Sequence, residues 1–336
     1  MRGSRLLCFG IMVSVLRASS LSAQRRTLVP RASSQEAAAI DPALKPKAGT
    51  ATAIDPALKP KAGTLYRVRI TDTKCTIIDS ATVAGEPVHI HTMGDATFAL
   101  AGIPIDSVDG VSLIVRCASG ESTTTRIATQ RSTYPLERLT VAPKFSAKPD
   151  SALAKRMRKE AEEALVVSRN AHVTRRLWTE SFVVPRTTRI TSTFGGGRTF
   201  NGTVTSRHMG TDFAGAVGDP VRAANRGIVR LIGAFYLGGN VIYLDHGEGL
   251  VTAYLHLSQQ QVAVGDTVQK GEVIGKVGAT GRVTGPHLHF IARYGAITVD
   301  PASLFALGNQ YPLPLPQFSA AGILALRQTV MNRRGK

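Results

Sequence analysis

Between residues 181 and 308 the sequence breaks into short runs rich in β-branched and aromatic residues, with a glycine at nearly every junction. RITSTF, GIVRLIGAFY, NVIYLDH, LVTAYLHL, EVIGKVGA and HLHFIARYG are each of strand length. Helix signals are scarce. Glycine at a run end supplies turn conformations that residues with a side chain resist, so tight antiparallel connections become available. The pattern predicts an all-β, glycine-turned antiparallel domain over 181–308. VAVGDTVQKGEVIGKVGATG has the form of half a small barrel.

The rest of the chain is organised differently. Residues 65–145 hold LYRVRI, CTIID, PVHIHT, TFALAGI and VSLIVRC, punctuated by Gly, Asp and Pro. That spacing predicts a small antiparallel β-sandwich. Residues 150–177 predict a helical connector. Leu153, Met157, Ala161, Ala164, Leu165 and Ser168 recur at helical spacing after a capping Asp150 or Ser151. Residues 24–64 read as a flexible linker, because AIDPALKPKAGT occurs twice, at 39–50 and 53–64, without apolar periodicity. Residues 1–23 read as an export signal: a basic start, the apolar run LLCFGIMVSVL, then small residues. Residues 309–336 form a tail. The fold class expected is mainly β: sandwich, helical connector, then the glycine-rich domain. An exported chain with Cys75 and Cys117 has two readings, a disulfide or two buried thiols.

Net charge is 41 − 23 = +18 over 336 residues. Such a surface favours polyanions. No motif that reads RNA or DNA is present, so nucleic acid is not an expected partner, whereas an anionic cell wall fits. No segment approaches membrane-spanning length.

Histidine placement carries the chemistry. SRHMGTDF holds His208 and Asp212, TAYLHLS holds His256, and GPHLHF holds His287 and His289. Residues two or four apart on a strand share a face. His287 and His289 can therefore converge on one point, and so can His208 and Asp212. A catalytic zinc typically takes three protein ligands and keeps a position for water. Two neutral imidazoles and one carboxylate leave a site of charge about 2 − 1 = +1, which favours an acidic bound water. Two histidines then remain to move a proton and to stabilise an oxyanion. Geometry leaves open which of His287 and His289 binds metal. His246 reads as structural. HIH at His89–His91 reads as polar residues on a strand's solvent face, and His172 as a surface residue. Arg207 and the loop FGGGRTFNG are expected to line the groove, with its glycines admitting a peptide backbone.

The ordered set H-x-x-x-D, Y-x-H-L, H-x-H resembles the lysostaphin-type (LytM-like) zinc endopeptidases, which carry the duplicated hybrid motif fold and act on peptidoglycan. The resemblance covers roughly 185–307 and includes ITSTFG, HMGTDFAGAVGDPVRAANRGIV and GNVIYLDHGEGLVTAYLHLS. It implies one Zn²⁺ on His208, Asp212 and His289, with His256 and His287 acting on water and the transition state. It implies a peptidoglycan peptide as substrate and a periplasmic or cell-envelope location. It names no regulatory partner. Two rivals fit less well. An Fe(II) oxygenase would place its carboxylate two residues after the first His, and a cupin would want a Glu where Ala292 and Arg293 stand. A third rival is a catalytically silent LytM-type regulator of amidases, which the complete ligand set argues against.

Overall fold

The computed structural model describes residues 59–71, 75–94, 96–202 and 204–307. The expected signal, most of the expected linker and the tail lie outside the described residues. The linker's last residues do not behave as a tether. Ala62 is buried, and Gly63 pairs with Ile103 through its N–H and with Asp300 through its carbonyl.

The chain is mainly β. The N-terminal region forms two antiparallel sheets. One is ordered Leu65–Ile70, Ala96–Gly102, Ile90–Met93; the other Glu86–Pro87, Ile78–Val83, Val111–Cys117, Ser122–Ile127. Alternation sets which side faces in: Val111, Leu113, Val115 and Cys117 are buried, while Ile114 and Arg116 face out. Cys75 and Cys117 form a disulfide. One segment expected in this sandwich leaves it. Leu136–Leu139 pairs in parallel with Gly197–Phe200, itself paired with Val204–Arg207. Read as a loop, Phe194–Gly202 therefore contains a strand.

The C-terminal domain is built on an 8-stranded antiparallel sheet. Its order is Thr267–Val268, Gly227–Phe235, Gly239–Gly247, Leu250–Leu257, His287–Tyr294, Thr211–Ala214, Ile190–Ser192, with Ile297–Val299 added beside His287–Tyr294. Every residue of Leu250–Leu257 is buried, so both its faces are covered. Leu250, Tyr254 and Leu257 point into a core shared with the sandwich's Val68, Val83 and Leu100. Val251, Ala253 and Leu255 pack with Ala164 and Val167 of the connector helix. Alternating in/out apolar residues thus read as a continuous run.

The connector helix is Ser151–Asn170, with Asp150 Oδ1 accepting from Leu153 N at 2.7 Å. It stops before the expected 177, where residues 171–173 turn. Ala161 is exposed and Val167 takes part in the packing instead. His172, just past the helix end, is not at the surface: its side chain is only 11% exposed. It stacks on His89 with centroids 5.4 Å apart, and its Nε2 lies 3.4 Å from Glu86 Oε2. His91 Nε2 lies 2.9 Å from Glu248 Oε2. The HIH stretch therefore faces the C-terminal domain across a titratable seam and not solvent.

Burial holds His89 and His172 below the ordinary imidazole range, although Glu248 and Glu86 respectively oppose it. A histidine whose folded-state pKa is depressed gives its full stability above the unfolded value of about 6.5 and loses it as pH falls toward the folded value. The unfolding temperature is therefore expected to drop between about pH 7 and pH 5. His89→Gln should flatten that drop in calorimetry. An unchanged pH slope would show that the seam does not carry it.

Candidate metal centre

Register brings the central residues together. Thr211–Ala214 lies antiparallel to His287–Tyr294, with Asp212 directly opposite His289. His208 precedes this strand and reaches the same point through a bend, not through strand periodicity. Its backbone is clamped by His208 N to Gly196 O and by Gly195 N to His208 O, both 2.7 Å. Gly210 makes the bend fit: a Cβ there would meet Phe290 O at 2.5 Å and the His289 ring at 2.7 Å.

Three atoms close a small buried triangle. His208 Nε2 is 3.0 Å from Asp212 Oδ1 and 3.0 Å from His289 Nδ1, and His289 Nδ1 is 2.7 Å from Asp212 Oδ1. His208 Nδ1 lies 2.8 Å from the Thr193 carbonyl, which can only accept, so this nitrogen carries the hydrogen. In the neutral ring Nε2 is then a lone pair aimed at a carboxylate oxygen. Acceptors facing one another in a dry pocket repel unless a cation lies between them. Imidazole nitrogen and carboxylate oxygen suit a borderline divalent ion. Among the described residues, His208, Asp212 and His289 are the group able to hold a metal ion.

The electrostatics agree. Burial alone would raise the Asp212 carboxyl, but without a metal ion, protons and positive charge on the facing His208 and His289 nitrogens, standing where a cation would lie, hold it well below the carboxylate range. His289 is lowered to about 4, chiefly by burial, and so stands ready as a neutral ligand.

His256 and His287 flank the triangle. The His256 ring centroid lies 5.0 Å from that of His287 and 5.8 Å from that of His289. His287 Nε2 lies 3.7 Å from Asp212 Oδ1. Each flanking ring gives its Nδ1–H to a backbone carbonyl at 2.8 Å, Thr280 for His256 and Gly285 for His287. Both therefore present Nε2 as a proton acceptor. His256 is lowered to about 3 by burial and by His289 and His287. Its backbone is left-handed, φ 62°, where the pairing register of its strand shifts. A non-glycine residue in that region is strained, and here the irregularity accompanies a side chain in the groove.

The sequence reading missed what supports Asp212. Arg198 Nη2 donates to Asp212 Oδ2 at 2.8 Å and to Ser192 Oγ at 2.8 Å, and Arg198 Nε donates to Glu137 Oε2 at 2.8 Å. Ser192 Oγ donates to Glu137 Oε1 at 2.7 Å. Arg198 could have been sought in the glycine-rich loop; Glu137 gives no local signal. Arg198 and Arg207 both line the groove, of about 620 Å³. The loop's glycines have another use than admitting substrate: a Cβ on Gly195 would overlap the Tyr134 ring. His246 is core, bonded to Arg226 O at 2.7 Å and Thr252 Oγ1 at 2.8 Å.

Fold and site together define a candidate metal centre set in an antiparallel β domain beside two further imidazoles. The chain belongs to peptidase family M23. The profile of that family matches residues 206–301, which include all five groups of the site. The chain is 40% identical over 97 residues to the peptidoglycan DD-endopeptidase ShyC of Vibrio cholerae, covering 29% of this chain and 22% of that protein. It thus spans less than a quarter of that relative's length. It is 34% identical to the catalytic domain of the antimicrobial peptidase lysostaphin from Staphylococcus simulans, covering 35% of this chain and 92% of that one, TM-score 0.32. It is 29% identical to the crystal structure of a putative peptidase M23 from Pseudomonas aeruginosa, covering 74% of this chain and 95% of that one, TM-score 0.57. That likeness extends well beyond the family domain.

Proposed function

We propose that this protein is a zinc-dependent endopeptidase that hydrolyses peptide bonds in peptidoglycan stem peptides or cross-links. The observation that carries the reading is the buried triangle of His208, Asp212 and His289 beside two histidines whose Nε2 atoms are free to accept protons. Zinc held by that triangle would supply a Lewis acid for the scissile carbonyl and an acidified water. Arg198 fixes the orientation of Asp212 by holding its second oxygen. Thr193 fixes the tautomer of His208, as outer partners of metal-binding histidines generally do. His256 and His287 take the water proton at Nε2; the ring that holds it becomes a donor to the tetrahedral oxyanion and then to the leaving amine.

The relatives' peptidoglycan specificity supports the choice of substrate, and the charge of +18 suits an anionic wall. Raised salt should then weaken binding to sacculi. Residues 1–23 support export to the periplasm or cell envelope. No helix among the described residues is long and apolar enough to cross a membrane.

The test is metal analysis of the purified full-length protein, followed by mass analysis of fragments released from sacculi. About one zinc per chain, with peptide-bond products that vanish on chelation and return with zinc, is the expected result. Stoichiometric zinc without any cut peptide would point to the regulator instead.

A further inference from the structure

We infer that Arg282 is a specificity residue that binds a free carboxylate on the substrate peptide beside the scissile bond; this rests on the endopeptidase reading and deepens it. Four arginines line the groove, Arg189, Arg198, Arg207 and Arg282, against two carboxylates, Glu137 and Asp212. They are not equivalent. Arg198 is paired with both carboxylates at 2.8 Å. Arg207 has Asp106 at 3.3 Å. Arg189 is exposed, where water screens its charge. Arg282 is half-buried, and among the described residues no carboxylate lies within ion-pair distance of it.

Its placement is fixed from both ends. Gly281 is left-handed, φ 76°, in a turn pressed against Leu237–Gly239, and Arg282 N donates to Leu237 O at 2.9 Å. The guanidinium carbon stands 4.0 Å from the centre of the Phe200 ring. Such stacking engages the face of the guanidinium and leaves its in-plane N–H donors available. Burial lowers the pKa of Arg282, and neighbouring Arg198 lowers it further. A cation desolvated beside another cation is costly until an anion arrives. Arg282 also sits on the loop that leads into His287, so a bound anion lies close to the reacting peptide. The guanidinium's fork of donors matches a carboxylate in two parallel bonds, which a carboxamide cannot reproduce.

The experiment uses the zinc-loaded full-length enzyme and a matched pair of cross-linked stem peptides, one with its free side carboxylate and one with that group as carboxamide. Wild type is expected to favour the carboxylate form by about ten- to a hundredfold in kcat/KM, mostly through KM. In Arg282→Gln that ratio should fall to near one, and Arg282→Lys should keep part of it. The ratio is internal to each protein, so a partly unfolded variant does not distort it. If wild type cuts both peptides equally, or if Arg282→Gln keeps the preference, the inference is overturned while the endopeptidase reading stands. If wild type cuts neither, the reading falls and the inference with it.

Discussion

Replacing His289 with alanine is expected to remove both zinc and activity, whereas His287→Ala should keep zinc and lose turnover. His289 Nδ1 is one corner of the triangle, 2.7 Å from Asp212 Oδ1 and 3.0 Å from His208 Nε2. Without it, two ligands remain, and the buried Asp212 loses one of the two rings that hold its charge. His287 stands outside the triangle, with Nε2 at 3.7 Å from Asp212 Oδ1 and Nδ1 tied to Gly285. Its loss should remove proton transfer, a term of about 10²–10⁴ in rate, and leave the metal site closed. Metal content by mass spectrometry and peptide turnover, measured on the same samples, separate the two. Metal loss in His287→Ala would reverse the division of roles between these neighbours.

The second large effect concerns a residue that touches no metal. Arg198→Met should weaken zinc binding about 10–100-fold, the usual consequence of losing an outer partner of a ligand. Arg198 is the donor that holds Asp212 Oδ2, and it is itself held by Glu137 and Ser192. Glu137→Gln should produce a smaller loss, because it loosens Arg198 without removing the bond to Asp212. A zinc affinity within twofold of wild type in Arg198→Met would show that strand register alone orients Asp212. Circular dichroism that matches wild type separates this from misfolding, since Glu137 and Asp212 would be left facing each other without their shared cation.

Part of the site was legible because short-range periodicity joins His287 to His289, and the rest because the order of the motifs matches a known one. His287 and His289 alternate along one strand, and their order with His208, Asp212 and His256 resembles that of a known family. Strand runs with glycine ends gave the antiparallel domain, and helical spacing after Asp150 gave the connector. Where the reading failed, distance along the chain was the cause. His172 looked like a surface residue because nothing near it in sequence announces Glu86, His89 or Tyr294. Leu136–Leu139 looked like part of the sandwich because its partner, Gly197–Phe200, lies some sixty residues on.

The sequence by itself therefore determined the β character of the C-terminal domain and the shared direction of His287 and His289, which backbone geometry sets for neighbours on a strand, while the set of five candidate groups came from the resemblance to a known family. Only the tertiary structure decided how those groups are held and what surrounds them. Glu137 reaches Arg198 across 61 residues and Arg198 reaches Asp212 across 14. Arg282 rests on Phe200, His89 of the sandwich meets His172 past the connector helix, and His91 meets Glu248 in the C-terminal domain. Such contacts depend on which strand pairs with which, and that choice is made by burying one shared core, not by any local pattern.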